Sequence, residues 1–331
     1  MNKQKPLIAI LLGDPSGIGP ELISKFLKNK SSNTDVIIVG EKKIADKGDQ
    51  IAKVKNNYNL IKDIKQFKSN SNEINFIDIS KKNNRNYTLG KCSANSGASV
   101  LESLKYSLDL GKKNLVDGIL FAPFNKASMQ MAGSKYEDEL HLIADELSLK
   151  NFYCELNFLN NFWTSRVTSH IDLKKVAPMI NQNSVLQPII LIDRTLKKTG
   201  MKKPRIAVCG INPHAGDSGL FGREEIDIIE PAIKKATEHN IDASGPYPAD
   251  TIFVRAYKNK EFDAVVTMYH DQGQIAMKLI GFDRGVTVQG GLPFPITTPA
   301  HGTAFDIAGK GIADPNAIIE AFKLICQMTN K

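Results

Sequence analysis

Leu7-Ile8-Ala9-Ile10-Leu11-Leu12-Gly13-Asp14-Pro15-Ser16-Gly17-Ile18-Gly19-Pro20-Glu21 opens on six apolar residues and then breaks into a loop of glycine and proline. A short continuous apolar run closed by turn residues reads as a strand buried on both faces. The loop leads into a helix starting at Pro20, whose fixed φ suits the first helical position. Glycines here let the backbone approach a ligand, and the helix N-terminus favours anions. The spacing is not G-x-G-x-x-G, so the loop is not an ordinary dinucleotide fingerprint. The apolar run is also too short for a signal peptide and lacks a small-residue cleavage site.

The same alternation continues along the chain. Strands are expected at Leu7–Leu12, Asp35–Val39, Gly118–Ala122, Phe152–Phe158, Phe162–Thr168, Arg205–Cys209, Ala264–Met268 and Gly285–Gln289. Helices are expected at Glu21–Lys28, Gly97–Lys112, Glu139–Leu147, Ser184–Lys198, Glu224–Glu238 and Pro315–Met328, the last with Asp314 as its N-cap. This pattern predicts an α/β protein with a largely parallel sheet. A length of 331 residues exceeds what one hydrophobic core usually serves, so two domains are expected. The turns near Pro123 and Gly281 suggest a first domain of 1–123 with 282–331 and a second of 124–281. The Lys-, Asn- and Ser-rich segment from Lys53 to Arg85 reads as peripheral.

Composition narrows the function. The formal charge of +8 comes from lysine pairs scattered through polar stretches, with no run of five basic residues, which argues against a nucleic-acid partner. No apolar run reaches the roughly 20 residues that cross a bilayer, so no membrane partner is expected and the cytoplasm is the expected location. Cys92, Cys154, Cys209 and Cys326 lie far apart and form no C-x-x-C pair, which disfavours a disulfide frame or a thiolate metal site.

Three histidines stand out. His170 follows the run ending at Thr168, His214 lies in Cys209-Gly210-Ile211-Asn212-Pro213-His214, and His270 lies in Met268-Tyr269-His270-Asp271. Each follows the carboxyl end of an expected strand, the edge where open α/β sheets bind ligands. Three imidazoles suit zinc, cobalt, nickel or iron and leave positions open for substrate. His239, at the end of a charged helix, reads only as a partner of the helix dipole. The segment His301-Gly302-Thr303-Ala304-Phe305-Asp306 is rich in small residues that let a loop wrap a flat ligand. Asp306 is placed either to accept ribose hydroxyls, favouring NAD over NADP, or to cap local backbone.

The segments GDPSGIGPE, APFNKA, NPHAGDSGLFGREE, PADT, YHDQGQ and HGTAFDIAG together resemble the 4-hydroxythreonine-4-phosphate dehydrogenase family nearly end to end. The last is also similar to the cofactor loop of isocitrate and isopropylmalate dehydrogenases. The resemblance implies an isocitrate/isopropylmalate dehydrogenase-like fold of two α/β/α domains with an interdomain cleft, and a homodimer with shared active sites. It implies NAD at His301, Gly302, Thr303 and Asp306, and a small-molecule hydroxy acid oxidised in pyridoxine biosynthesis. It also implies a divalent metal held by His170, His214 and His270 from both subunits. Zinc is the first expectation, with manganese, cobalt or magnesium as alternatives. Lys278 matches a substrate-contacting lysine of the family. Lys126, Asp250 and Asp271 are candidate proton carriers or orienting groups, with individual roles unassigned.

Three departures concern the substrate. Glu139-Leu140 stands where the family has a substrate-contacting His-Thr pair, unless the loop is shifted and His141 takes that place. Ile296 replaces the family's substrate arginine, and Thr287 replaces an asparagine. The resemblance implies 4-phosphohydroxy-threonine as substrate, and loss of a bidentate arginine with gain of a carboxylate points instead to a related hydroxy acid or diol, with or without a phosphate. Two further readings remain at this point: a metal-dependent hydrolase or lyase, and a non-catalytic ligand-binding relative.

Overall fold

The computed structural model describes residues 5–28, 34–69, 71–80, 85–281 and 283–330. The expected domain limits at 1, 282 and 331, and positions 70 and 81–84 of the expected peripheral segment, lie outside the described residues. The chain forms two compact units, Met1–Leu149 with Leu292–Lys331, and Lys150–Gly291.

The first stretch contains β1 (Leu7–Leu11), α1 (Gly19–Lys28), β2 (Asp35–Gly40), α2 (Lys42–Ala52), β3 (Tyr58–Ile61), β4 (Ile74–Asp78), α3 (Ala94–Lys112), β5 (Gly118–Phe121), α4 (Lys126–Met131) and α5 (Glu139–Glu146). The second unit follows with β6 (Cys154–Leu159), β7 (Phe162–Arg166), α6 (Val176–Met179), α7 (Gln182–Lys198), β8 (Arg205–Cys209), α8 (Glu230–Glu238), β9 (Asp242–Tyr247), α9 (Ala249–Phe253), β10 (Ala264–Thr267), α10 (His270–Ile280) and β11 (Val286–Gly290). The chain then returns to the first unit with β12 (Ile296–Pro299) and α11 (Asn316–Thr329).

In the first unit the strand order is β3-β4-β2-β1-β5-β12, and every pairing is parallel. The apolar run that opens the sequence is an inner strand of this sheet, with Ile8, Ala9, Ile10 and Leu11 fully buried. In the second unit the order is β11-β6-β7-β10-β8-β9. The pairs β11/β6 and β6/β7 are antiparallel, and the rest are parallel. Its core includes Phe162, Cys209, Ile252, Val265 and Met277. Among the described residues no helix is long and apolar enough to cross a membrane.

The units divide after Leu149 and Gly291 rather than near Pro123 and Gly281. Helices α4 and α5 stay with the first unit because α4 packs directly on α3: a Cβ on Gly97 would lie 1.8 Å from the Ser128 carbonyl oxygen. Strand β11 stays with the second unit because it pairs with β6 along its whole length. Several elements went unanticipated. The peripheral segment contains the edge strand β3 and the inner strand β4, whose Phe76 is fully buried. Its flanking Lys, Asn and Ser residues obscured a short apolar core. Strand β9 was hidden by Gly245 and Pro246, which an edge strand tolerates. The last helix starts at Asn316 rather than Pro315, and Asp314 Oδ1 accepts from the Asn316 N–H at 2.9 Å.

Candidate active site

Strands β7, β10 and β8 are adjacent and parallel, so their carboxyl ends lie side by side at one edge of the second unit's sheet. The three histidines sit on the segments leaving these strands. The segments after β7 and β10 are stitched together. Val167 and Thr168 donate their N–H groups to the carbonyls of Thr267 and Met268, and the Thr168 hydroxyl donates to the Met268 carbonyl at 2.8 Å. This brings the His170 and His270 rings to 5.3 Å between centroids. His270 is the first residue of α10, and its Nδ1 lies 2.6 Å from Asp271 Oδ1. A carboxylate on Nδ1 fixes the ring and leaves Nε2 as the nitrogen for a ligand.

His214 is carried differently. It opens a left-handed turn, with φ of 52° at His214, 53° at Ala215, 80° at Gly216, 42° at Asp217 and 58° at Ser218. Left-handed backbone costs roughly 1–2 kcal/mol per non-glycine residue, so this turn persists only if its surroundings hold it. Glu225, buried with 1% of its surface exposed, accepts from the N–H groups of Ile211 and Asn212 at 2.8 Å each. The Asn212 amide donates to Glu225 Oε2 at 2.9 Å and to Glu224 Oε2 at 2.7 Å. On the other side Gln272 donates to the Gly210 carbonyl at 2.9 Å and accepts from the Met268 N–H at 2.7 Å, tying this loop to the end of β10.

Between the loop and α10 lies a cavity of about 650 Å³ lined by Asn212, His214, Asp250, Tyr269, Asp271 and Ile275, among others. Asp250 is exposed in the first turn of α9. Lys278 is exposed two turns after His270 on the same helix. Imidazole donors suit a borderline-soft divalent ion such as zinc. Among the described residues, however, no group of three or more His, Cys, Asp or Glu is close enough to hold one. One chain brings His170 and His270 together, with His214 on the neighbouring loop.

Thr287, 8% exposed on β11, accepts from the Asn157 amide at 3.3 Å. Asn157 in turn accepts from Arg166 Nη1 at 2.9 Å and from the Gln274 amide on α10. Arg166 also pairs with Glu155 and donates from Nε to the Ser169 hydroxyl at 2.9 Å, next to His170. Glu225, Gln272 and Gln274 lie in the NPHAGDSGLFGREE and YHDQGQ segments, but nothing in the sequence tells what they bond to, and Glu155, Asn157 and Arg166 belong to no quoted motif.

In the first unit, the glycines of the opening loop answer to protein packing. A Cβ on Gly19 would lie 2.4 Å from the Leu12 carbonyl oxygen, and one on Gly17 would lie 2.8 Å from Thr303 Cβ. The Ile18 N–H donates to the Thr303 carbonyl at 3.1 Å, so this loop supports the His301–Asp306 segment. Asp14 is fully buried, and burial pushes its carboxyl above the ordinary value although the Ser16 N–H donates to it. Thr303 is buried, His301 is half-buried with Nδ1 3.0 Å from the Gly302 carbonyl, and Gly302 and Asp306 are exposed.

Lys126 is exposed at the start of α4, where Asn125 is the N-cap. Asp138 caps α5, accepting the His141 N–H at 2.9 Å and lying 2.7 Å from His141 Nδ1. Burial pushes Asp138 up, but the His141 backbone and side chain, helped by Lys126, leave it below the ordinary carboxylate value. Glu139 is half-buried and His141 exposed, whereas Leu140 is only 4% exposed on the inner face of α5. Ile296 is fully buried on β12, beside Ile119 of β5. Leu140 and Ile296 are therefore core residues here and offer no surface to a substrate. The expectation that they shape the pocket is corrected by their burial.

The family model for pyridoxal phosphate biosynthetic protein PdxA matches residues 32–325. A Pseudomonas aeruginosa protein provisionally named 4-hydroxythreonine-4-phosphate dehydrogenase 2 is 46% identical, over 98% of this chain and 97% of its own. An Oceanobacillus iheyensis protein provisionally named D-threonate 4-phosphate dehydrogenase is 37% identical over 96% of each chain. The crystal structure of Klebsiella pneumoniae 4-hydroxythreonine-4-phosphate dehydrogenase matches with a TM-score of 0.87 at 32% identity, covering 100% of both chains. The chain belongs to the PdxA family.

Proposed function

We propose that this chain is an NAD-linked dehydrogenase that oxidises the C3 hydroxyl of a four-carbon hydroxy acid 4-phosphate, either 4-phosphohydroxy-threonine or D-threonate 4-phosphate. The observation that carries the reading is the placement of the His170, His214 and His270 segments at the carboxyl ends of three adjacent parallel strands, beside a cavity that includes Asp250 and Asp271. The names of the relatives support a phosphorylated substrate. The missing arginine and the half-buried Glu139 argue the other way, and the names of the relatives outweigh them.

In this reading His170, His214 and His270, contributed by two copies of the chain, would hold a divalent ion, zinc first, since the described residues of one copy do not close the set. When bound it supplies Lewis-acid polarisation that lowers the pKa of the substrate hydroxyl. Asp271 orients the His270 ring. Asp250, Asp271 and Lys126 are the proposed proton carriers or orienting groups, and Lys278 the proposed substrate cation. His301, Gly302, Thr303 and Asp306 would hold NAD, which would supply the hydride acceptor for the oxidation. The 3-oxo acid so formed is activated for loss of CO₂. A second copy of the chain is proposed to cover Ile275 and Leu279 of α10, which are 60% and 83% exposed beside the cavity.

The test is NADH formation by purified, zinc-loaded protein with each of the two 4-phosphates, beside their unphosphorylated counterparts. Turnover of a 4-phosphate at least tenfold more efficient than its unphosphorylated counterpart is the expected result. Hydrolysis without NADH formation would make the chain a metal-dependent hydrolase, and inertness toward every compound would make it a binding protein. Light scattering of the same sample, expected at twice the chain mass, tests the homodimer.

A further inference from the structure

The carboxylate of Glu225 is buried, yet its mapped hydrogen bonds serve one loop. Its two oxygens receive the Ile211 N–H, the Asn212 N–H and the Asn212 side-chain amide, all from the segment that enters the His214 turn. The turn is shaped around this group. A Cβ on Gly210 would lie 2.9 Å from Glu225 Oε1, and one on Gly216 would lie 2.7 Å from Oε2. The carboxylate thus touches the chain just before and just after His214. Glu225 also opens a π-helical turn, Glu225–Ile229, that runs into α8. Such turns are uncommon and concentrate at functional sites. A buried carboxylate is a costly way to brace a loop where an apolar side chain would pack. Its geometry is suited instead to fixing the extended entry of the turn at Ile211 and Asn212, where Asn212 has φ −91° and ψ 157°, immediately before the backbone becomes left-handed at His214.

We propose that Glu225 is a positioning residue for His214, holding the left-handed turn so that the imidazole is presented as a metal ligand. The proposal rests on the reading of His214 as a ligand. Glu225 itself touches neither metal nor substrate and acts only through the loop.

The test measures zinc affinity by competition with a chromophoric chelator, in the absence of NAD and substrate, for the wild type, Glu225→Gln, Asn212→Ser and His214→Ala. The glutamine keeps one oxygen for the backbone N–H groups but turns an NH₂ toward the Asn212 amide, donor against donor. Loss of a group that orients a ligand typically costs about 10–100-fold in metal affinity, and a loss in that range is expected for Glu225→Gln. A smaller loss is expected for Asn212→Ser, which removes only the side-chain link and serves as the second probe if Glu225→Gln folds poorly. The visible spectrum of the cobalt-loaded Glu225→Gln protein should differ from that of the wild type. If His214→Ala loses zinc while both other variants bind it normally and only melt earlier, Glu225 is a structural brace and the proposal is wrong. If His214→Ala binds zinc as the wild type does, the metal reading fails and the proposal falls with it.

Discussion

Replacing Arg166 by methionine removes the centre of the polar network beneath His170 and α10. The guanidinium is 5% exposed and its partner Glu155 is 15% exposed, so the pair is largely out of water. Removing one partner of a buried pair costs roughly 3–5 kcal/mol, because the remaining charge is stranded. Two local features place the cost near the lower end. Asn157 Oδ1 keeps the Gln274 amide as a donor, and the half-buried Ser169 hydroxyl can turn to water. We therefore expect Arg166→Met to destabilise the second unit by about 3 kcal/mol. Replacing both partners by apolar residues is often close to neutral, so Glu155→Met/Arg166→Met should cost only about 1 kcal/mol. The coupling in the double-mutant cycle should exceed about 2 kcal/mol in magnitude. Urea denaturation followed by tryptophan fluorescence suits the measurement, since the single tryptophan, Trp163, is buried in β7 of the same unit. An Arg166→Met cost below about 1 kcal/mol, or a double variant no more stable than Arg166→Met, would refute the reasoning.

Gly97→Ala gains about 1 kcal/mol of helix propensity but sets a methyl 1.8 Å from the Ser128 carbonyl oxygen. Overpacking of roughly 1–3 kcal/mol should win, lowering the melting temperature; a higher melting temperature would contradict the packing of α3 on α4. Asp138→Asn keeps an N-cap and loses the charge. Because the folded Asp138 carboxyl lies below its ordinary value of 3.8, its contribution is present above that pH and fades as pH falls through the folded value. The stability gap between wild type and Asp138→Asn should thus close as pH falls below about 4 in acid titrations; a gap that stays open there has the wrong sign. Asp306→Lys, at an exposed position, should shift the kcat/KM preference toward NADP by tenfold or more, and an unchanged ratio would remove Asp306 from cofactor choice.

Much of the fold was legible from the chain. The strands Leu7–Leu11, Gly118–Phe121, Arg205–Cys209 and Ala264–Thr267 announce themselves because a strand buried on both faces must be apolar at every position. The helices from Ala94 and Gln182 were legible through their periodicity and length. Elements that depend on neighbours were not. Strand β4 is masked by its polar flanks, α2 carries a central Gly48 that only close packing against α1 explains, and α10 begins inside the YHDQGQ motif, where no helix is expected from the sequence. The candidate site divides in the same way. His170, His214 and His270 were picked out locally, since residue type and position after a strand suffice.

Only the tertiary structure decided what surrounds them. It made β7, β10 and β8 neighbours in an order the sequence does not follow, and it put Leu140 and Ile296 in the core. It joined Glu155, Asn157, Arg166 and Gln274 in one network and closed Glu225 on the loop of His214. The physical reason is the range of the interactions. Strand and helix formation follow from hydrophobic period and backbone preference within a few residues. Buried hydrogen bonds and close glycine contacts join groups more than a hundred positions apart in places, and they exist only once the chain has folded.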